Sequence, residues 1–201
     1  LEFQGIDKIR QPFLKEVKRI NGGWLLAFCN VEGVWHWRVA IIENGLKFKI
    51  TCLWNKPDST PKLNGQGPAL SYECFTTTWC GRGHARWNGG GRRGVFTHCT
   101  NSKDRHGEHP TEKPISLMSE LVSLFSDADQ KICDPFMGSG TTGVACVKLG
   151  RTFIGIEKDK RYFDVACERI ADAASRPDMF ITPANKPSKT GSLFAGIEAA
   201  E

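Results

Sequence analysis

Gly138, Ser139, Gly140, Thr141, Thr142 and Gly143 form a glycine-rich turn directly after Asp134-Pro135-Phe136, and an acid, Glu157, closes the next apolar run. Glycines at such a turn admit positive φ and let backbone come close to a ligand. A helix that starts on them offers N–H groups without intrahelical partners. A carboxylate at the tip of the following strand is placed to accept hydroxyl hydrogens of a ribose. Together these residues are the makings of a nucleotide-type site. Taken alone, Gly138, Gly140 and Gly143 also fit the G-x-G-x-x-G dinucleotide pattern, which keeps an NAD-dependent oxidoreductase as a weaker alternative.

Positioning these groups takes a strand, a turn, a helix and a second strand, and residues 131–157 supply that order. Ile132 and Cys133 are a short apolar run stopped by Pro135, which lacks the N–H needed to continue a central ladder. Residues 144–149 read as the helix with Gly150 as its stop, and residues 152–156 as a buried strand. A dinucleotide domain needs further βα units after the motif, and too little chain follows Glu157 for them. The strands completing the sheet must precede the motif, which makes the sheet circularly permuted.

Asp134-Pro135-Phe136-x-Gly138-Ser139-Gly140-Thr141-Thr142, together with His109-Pro110-Thr111-Glu112-Lys113-Pro114 before it and Ile156-Glu157-x-Asp159 and Tyr162 after it, resembles the permuted (β-class) amino-DNA methyltransferases over about residues 11–173. The resemblance implies an α/β fold: a Rossmann-like methyltransferase sheet with helices on both faces, circularly permuted, with an inserted basic target-recognition segment. It implies S-adenosylmethionine as methyl donor, with adenine N6 favoured over cytosine N4 on family frequencies alone. His109, Thr111, Lys113, Pro114, Asp134, Pro135, Phe136, Gly138, Ser139, Gly140, Thr141 and Glu157 are the implied cofactor contacts. Lys113 is placed as partner of the cofactor carboxylate. Implied too are double-stranded DNA as partner, a bacterial or phage-infected cytoplasm as setting, and no membrane. A homodimer is compatible with the family, and a restriction-enzyme partner is unknown.

The family's Asp/Asn/Ser-Pro-Pro-Tyr/Phe catalytic loop occurs nowhere in these residues, and the first residue is Leu1, not methionine. The loop is expected upstream of Leu1. Without it, a SAM- or DNA-binding module lacking activity is the alternative.

Taken in chain order, residues 6–20 carry helical spacing (Ile6, Ile9, Phe13, Leu14, Val17), with Pro12 as a candidate break. Residues 24–28 read as a buried strand of a parallel sheet. Residues 33–43 read as a helix in which His36, between two tryptophans, is structural. Residues 47–54 alternate into a strand with one apolar face, on which Phe48, Ile50, Cys52 and Trp54 lie. Trp54, Asn55 and Lys56 then resemble the family's target-base pocket, where an aromatic stacks on an extruded base; a core tryptophan is the equal alternative for Trp54. A loop follows over 58–68, then a strand over 71–80.

Residues 81–106 hold Arg82, Arg86, Arg92, Arg93, Lys103 and Arg105 against the single acid Asp104, a local charge equal to the net +5 of the whole chain. Six glycines there suggest mobility, and Trp79 and Trp87 interleave with the arginines. This is the composition of a segment that docks on phosphates, on DNA or on structured RNA. Residues 109–114 lead into an apolar helix with Leu117, Met118, Leu121, Val122 and Phe125, and residues 161–171 form a helix read as scaffold. The expected division is therefore 1–57 for the target-base half, 58–108 for recognition, 109–176 for the SAM-binding half, and a loosely held tail over 177–201.

The 40% hydrophobic content supports one core, and no apolar run reaches the length of a membrane helix. Cys29, Cys52, Cys133, Cys146 and Cys167 sit in apolar segments, as buried free thiols do. The His and Cys residues of 74–109 lack any sharp ligand spacing, so no metal is expected.

Overall fold

The computed structural model describes residues 6–101 and 112–176. His109, Thr111, Lys103 and Arg105, and the tail over 177–201, lie outside the described residues. The element order is α1 (Ile6–Ile20), β1 (Trp24–Cys29), α2 (Gly33–Glu43), β2 (Lys47–Asn55), β3 (Tyr72–Trp79), β4 (Val95–Thr97), α3 (Ile115–Phe125), β5 (Lys131–Asp134), α4 (Thr141–Lys148), β6 (Thr152–Gly155) and α5 (Lys160–Ser175). This is an α/β fold in which, among the described residues, four strands precede the pair that flanks the glycine turn. The strands form a mixed sheet ordered β1-β3-β2-β4 and a parallel pair β5-β6.

β1 does not belong to a parallel ladder as its unbroken apolar run suggested. It pairs antiparallel with β3, from Trp24 opposite Trp79 to Cys29 opposite Cys74. β3 is antiparallel to β2 as well, and its buried threonines Thr76, Thr77 and Thr78 fill the middle of the sheet. An apolar run reports burial on both faces, whatever the direction of the neighbour.

Both faces are covered by helices. Leu25, Ala27 and Cys29 of β1 pack with Leu14, Trp37 and Ile41 of α1 and α2. The alternate residues Leu26 and Phe28 join Phe75, Phe96, Leu117 and Leu121 on the α3 side. β2 serves both faces because its register shifts between Phe48 and Ile50. A bulge adds a residue and so reverses which side chains point inward. Phe48 therefore packs on the α1/α2 side, Cys52 and Trp54 on the α3 side, and Ile50 is exposed. The single apolar face expected of this strand is thus split in two.

α1 runs unbroken through Pro12. Pro12 and Lys8 are both exposed, so the carbonyl four residues back that loses its donor faces water, which lowers the cost of an interior proline.

Among the described residues β5 and β6 are covered on one face only. Ile132 and Phe153 pack with Val122, Ala145 and Cys146, while Cys133 and Ile154, side by side in register, are exposed. Cys167 is exposed too. The expectation of buried thiols holds for Cys52 and Cys146 and fails for Cys133 and Cys167, because a four-residue strand with one open face leaves alternate side chains in solvent.

Two strands of the central sheet, β3 and β4, come from residues 58–108. The loop after β2 is tied to the end of that stretch by Asp58, whose carboxylate accepts from Thr100 N (2.7 Å), Thr100 Oγ1 (2.9 Å) and Asn101 N (2.7 Å). The Asn101 and Thr100 amides hold its pKa down to about 2. A carboxyl whose folded pKa is depressed contributes stability that is present above its unfolded value and lost as pH falls toward the folded one. Protection of the Thr100 and Asn101 amides in NMR hydrogen exchange is therefore expected to persist at neutral pH and to fall away between about pH 4 and pH 2. In Asp58→Asn it is expected to be weak throughout.

Candidate functional site

The glycine turn joins β5 to α4. Asp134, last residue of β5, accepts from Phe136 N through Oδ1 (3.0 Å) and from Thr142 Oγ1 through Oδ2 (2.6 Å), so it stitches the turn to the first turn of α4. Gly138 and Gly140 are left-handed, with φ of 53° and 83°. A Cβ on Gly140 would lie 2.7 Å from Ala166 Cβ and 2.9 Å from Ala166 Cα, and one on Gly143 would strike Ile170 and Phe153. The glycines thus let α5 press against the start of α4, beyond giving a ligand room. Thr141, Thr142 and Gly143 occupy the first helical positions, where the N–H groups have no intrahelical acceptor.

Glu157 lies just past β6 and faces the same turn. Its Oε2 accepts from Gly138 N at 2.9 Å and its Oε1 from Asp159 N at 2.8 Å. Each oxygen keeps a lone pair, since an ionised carboxylate offers about four acceptor sites. Pro135 is half-buried and Phe136 is 59% exposed, its ring 5.8 Å from that of Phe13. The turn is therefore edged by a carboxylate on one side and an open aromatic on the other.

Behind the turn, α5 contributes Arg169. Its Nη1 donates to Ser139 O and Ser139 Oγ, both at 2.8 Å, and its Nη2 lies 2.8 Å from Glu112 Oε1. The two charged side chains are 5% and 2% exposed. Sequence reasoning read this helix as scaffold and passed over Glu112 for its neighbours. Arg169 shares the helix face of Ala166 and Ala173, the other buried residues of α5; that spacing was the available signal, and the charge of the side chain concealed it.

A second cluster sits at the carboxyl ends of β1 and β2. Lys113 Nζ and Lys56 Nζ share Glu73, at 2.9 Å from Oε1 and 3.1 Å from Oε2 respectively. Lys56 lies 4.3 Å from the Trp54 ring centroid, and Lys113 lies 5.0 Å from that of Phe28. The sequence placed Lys56 with a base pocket and Lys113 with a cofactor carboxylate; the fold brings both to one acid. Pro114 is buried at the N-cap of α3. Trp54 itself is 1% exposed and donates Nε1–H to His98 O at 2.8 Å, so it is a core tryptophan and offers no face to an extruded base. Asn55, half-buried beside it, donates to Thr97 Oγ1. Trp54→Phe, which removes that donor, is expected to lower stability by about 1–2 kcal/mol in denaturant titration and to leave nucleic-acid affinity unchanged.

The basic segment is docked along most of its described length, contrary to the mobility its glycines suggested. Asn88 Nδ2 reaches Ser123 O and Ser126 O, Asn88 N donates to Leu124 O, and the Trp87 ring meets Phe125 edge-on at 4.9 Å. Trp24 Nε1 donates to Arg86 O. Arg86 pairs with Asp127 at 3.0 Å, and Arg92 pairs with Glu120, whose other oxygen lies 2.6 Å from His98 Nε2. Arg82 and Arg93 are exposed. Apolar anchors that are far apart in sequence, Trp24, Trp87 and Phe125, override the local glycine signal.

Residues 75–168 match the family model described as DNA methylase. The Type II methyltransferase M.HinfI of Haemophilus influenzae is 29% identical to this chain over 94% of the chain and 60% of the relative. The crystal structure of the M1.HpyAVI–SAM complex superposes with a TM-score of 0.70 at 27% identity, covering 80% of this chain and 81% of that one. The cytosine-N4-specific PvuII DNA methyltransferase shares the fold, with a TM-score of 0.66 at 16% identity over 84% of this chain and 76% of that one. The chain spans about 60% of the length of the curated relative it matches. Together with the order of strands and the Asp134–Thr142 turn, these likenesses are all to DNA methyltransferases, and the part of the chain that matches the DNA methylase family is residues 75–168.

Proposed function

We propose that this protein is an S-adenosylmethionine-dependent DNA methyltransferase acting on the exocyclic amine of a flipped base, adenine N6 in preference to cytosine N4. The observation that carries this is the glycine turn, with its two left-handed glycines and with Glu157 anchored on Gly138 N and Asp159 N. The donor set fits such a cofactor: a carboxylate with free lone pairs for ribose hydroxyls, helix-start N–H groups, and the exposed Phe136 ring. Glu157, Phe136 and the stretch from Gly138 to Thr141 would hold it, with Asp134 and Pro135 shaping the turn, and Lys113 would meet its carboxylate. When bound, S-adenosylmethionine supplies an electrophilic methyl on a sulfonium.

The chain's own residues bind and orient. Glu157 fixes the turn and presents acceptors, and Asp134 locks the start of α4 onto β5. Lys113, already beside Glu73, has only to exchange one carboxylate for another. Activation of a conjugated amine, a poor nucleophile, needs acceptors for its hydrogens aligned with the methyl. We assign that task to an Asp/Asn/Ser-Pro-Pro-Tyr/Phe loop upstream of Leu1. In support, among the described residues β1 is hydrogen-bonded to β3 alone and β5 to β6 alone, which leaves each an edge for one further strand. His109 and Thr111 stay assigned to the cofactor side on the family pattern.

Duplex DNA is the proposed partner, and residues 1–57, 58–108 and 109–176 are the proposed target-base, recognition and cofactor portions. Arg82 and Arg93 are the ready phosphate contacts, with Lys103 and Arg105 beside them in sequence. Arg86 and Arg92 are held on Asp127 and Glu120. Exposed pairs of this kind are worth about 0–1 kcal/mol, so a phosphate displaces the Arg86 partner at little cost. Among the described residues no helix is long and apolar enough to cross a membrane, and a bacterial cytoplasm is the proposed setting.

The test is transfer of labelled methyl from S-adenosylmethionine to unmethylated DNA by the full-length protein, followed by nucleoside chromatography. Label in N6-methyladenine is expected. Label in N4-methylcytosine keeps the mechanism and reverses the base. No label despite measurable cofactor binding leaves a binding module without activity.

A further inference from the structure

Glu112, Ser139 and Arg169 come from three distant parts of the chain and meet in the interior. The guanidinium spans them: one nitrogen holds both oxygens of Ser139, the other faces Glu112. Ser139 stands between the two left-handed glycines, so its carbonyl direction sets the turn on either side. A buried ion pair is weak evidence for stability, because well-packed apolar residues often serve as well. Its better-attested use is to fix register. Among the described residues Glu112 also keeps Oε2 buried with no hydrogen-bond partner, an arrangement that a purely stabilising pair would not select.

We propose that Arg169 and Glu112 are positioning residues for the cofactor turn. Arg169 acts through Ser139, and Glu112 orients the guanidinium while tying the turn to the segment that leads into α3. The proposal rests on the cofactor reading of the turn. It assigns cofactor affinity to a helix and an acid outside the glycine motif.

The experiment uses the full-length protein and its variants Glu112→Gln, Arg169→Lys, Ser139→Ala and the double variant Arg169→Lys/Ser139→Ala. Calorimetry gives Kd for S-adenosylmethionine, fluorescence anisotropy gives Kd for a DNA duplex, and thermal midpoints are recorded in parallel. Binding is measured below every midpoint. Arg169→Lys is expected to weaken cofactor binding about tenfold or more, the size of a lost charge-assisted hydrogen bond, with duplex affinity unchanged. The double variant is expected to bind within about twofold of the weaker single variant, as groups acting through one another do. A lower midpoint with cofactor Kd within about twofold of wild type means a structural role only and overturns the proposal, as do additive effects of the two substitutions. If Arg169→Lys does not fold, Glu112→Gln decides: its near-isosteric amide keeps the Ser139 bonds, a Kd raised about threefold or more supports the proposal, and an unchanged Kd overturns it. Wild-type protein that binds no S-adenosylmethionine overturns the cofactor reading itself, and this inference with it.

Discussion

Glu157→Ala is expected to weaken S-adenosylmethionine binding about a hundredfold, the effect of losing two or more hydrogen bonds to a charged group. Two losses combine. Gly138 N and Asp159 N, now satisfied by the carboxylate at 2.9 and 2.8 Å, are left without their acceptor, so the turn and the start of α5 loosen. The acceptors proposed for the ribose hydroxyls disappear as well. Glu157→Gln tests whether both oxygens must accept. Its amide retains one carbonyl oxygen but turns the other acceptor into a donor facing an N–H, so it is expected to fall near the alanine variant. An affinity for either variant within about threefold of wild type would remove Glu157 from the cofactor site. Because β6 itself is untouched, the thermal midpoint is expected to move much less than the affinity.

Gly140→Ala is expected to damage the fold more than the chemistry. The residue sits at φ 83°, a region that costs a residue with a Cβ about 1–3 kcal/mol. Its new methyl would also meet Ala166 Cβ and Cα at 2.7 and 2.9 Å, and backbone of a packed helix does not swing aside as a flexible side-chain tip does. α5 must back away from α4, and Arg169, one turn further along α5 from Ala166, moves with it. A loss of about 3–4 kcal/mol in denaturant titration is expected, strain and displacement together. A Gly140→Ala protein as stable as wild type would show that α5 is not held against the turn as described. Gly150→Ala is the informative contrast. It has a similar φ of 70° but open space around the added Cβ, so its loss is expected to be confined to the conformational term.

How much was legible in the sequence differs by element for physical reasons. α1 and α2 were readable to the residue because amphipathic spacing and the stops at Asn21-Gly22-Gly23 and Asn44-Gly45 are local signals. The turn from Asp134 to Thr142 was readable because positive φ and tight packing restrict residue type one position at a time. Strand direction was not readable: the run Trp24–Cys29 looks the same whether its neighbour runs up or down. Nor was the bulge at Phe48–Ile50, since Lys47–Cys52 alternates without a break in the sequence and only the pairing with β3 reveals the slip. For the site, the sequence named the lysines and missed the acids they answer to. Lys56 and Lys113 stood out within motifs, whereas Glu73 is one charge in a strand and becomes their common partner only when β3 lies between β1 and β2. Arg86 and Arg92 were counted correctly as charge and incorrectly as freedom, because Asp127, just past α3, and Glu120 of α3 reach them.

The position of β3 bears on how the chain is made. β1 and β2 are complete by Asn55, yet neither hydrogen-bonds the other; each waits for Tyr72–Trp79 to come between them. During synthesis, which proceeds from the N-terminus at about 5–20 residues per second, two apolar strands emerge seconds before the element that can satisfy their backbone. The interval is an opportunity for mispairing of β1 and β2 or for capture by a chaperone.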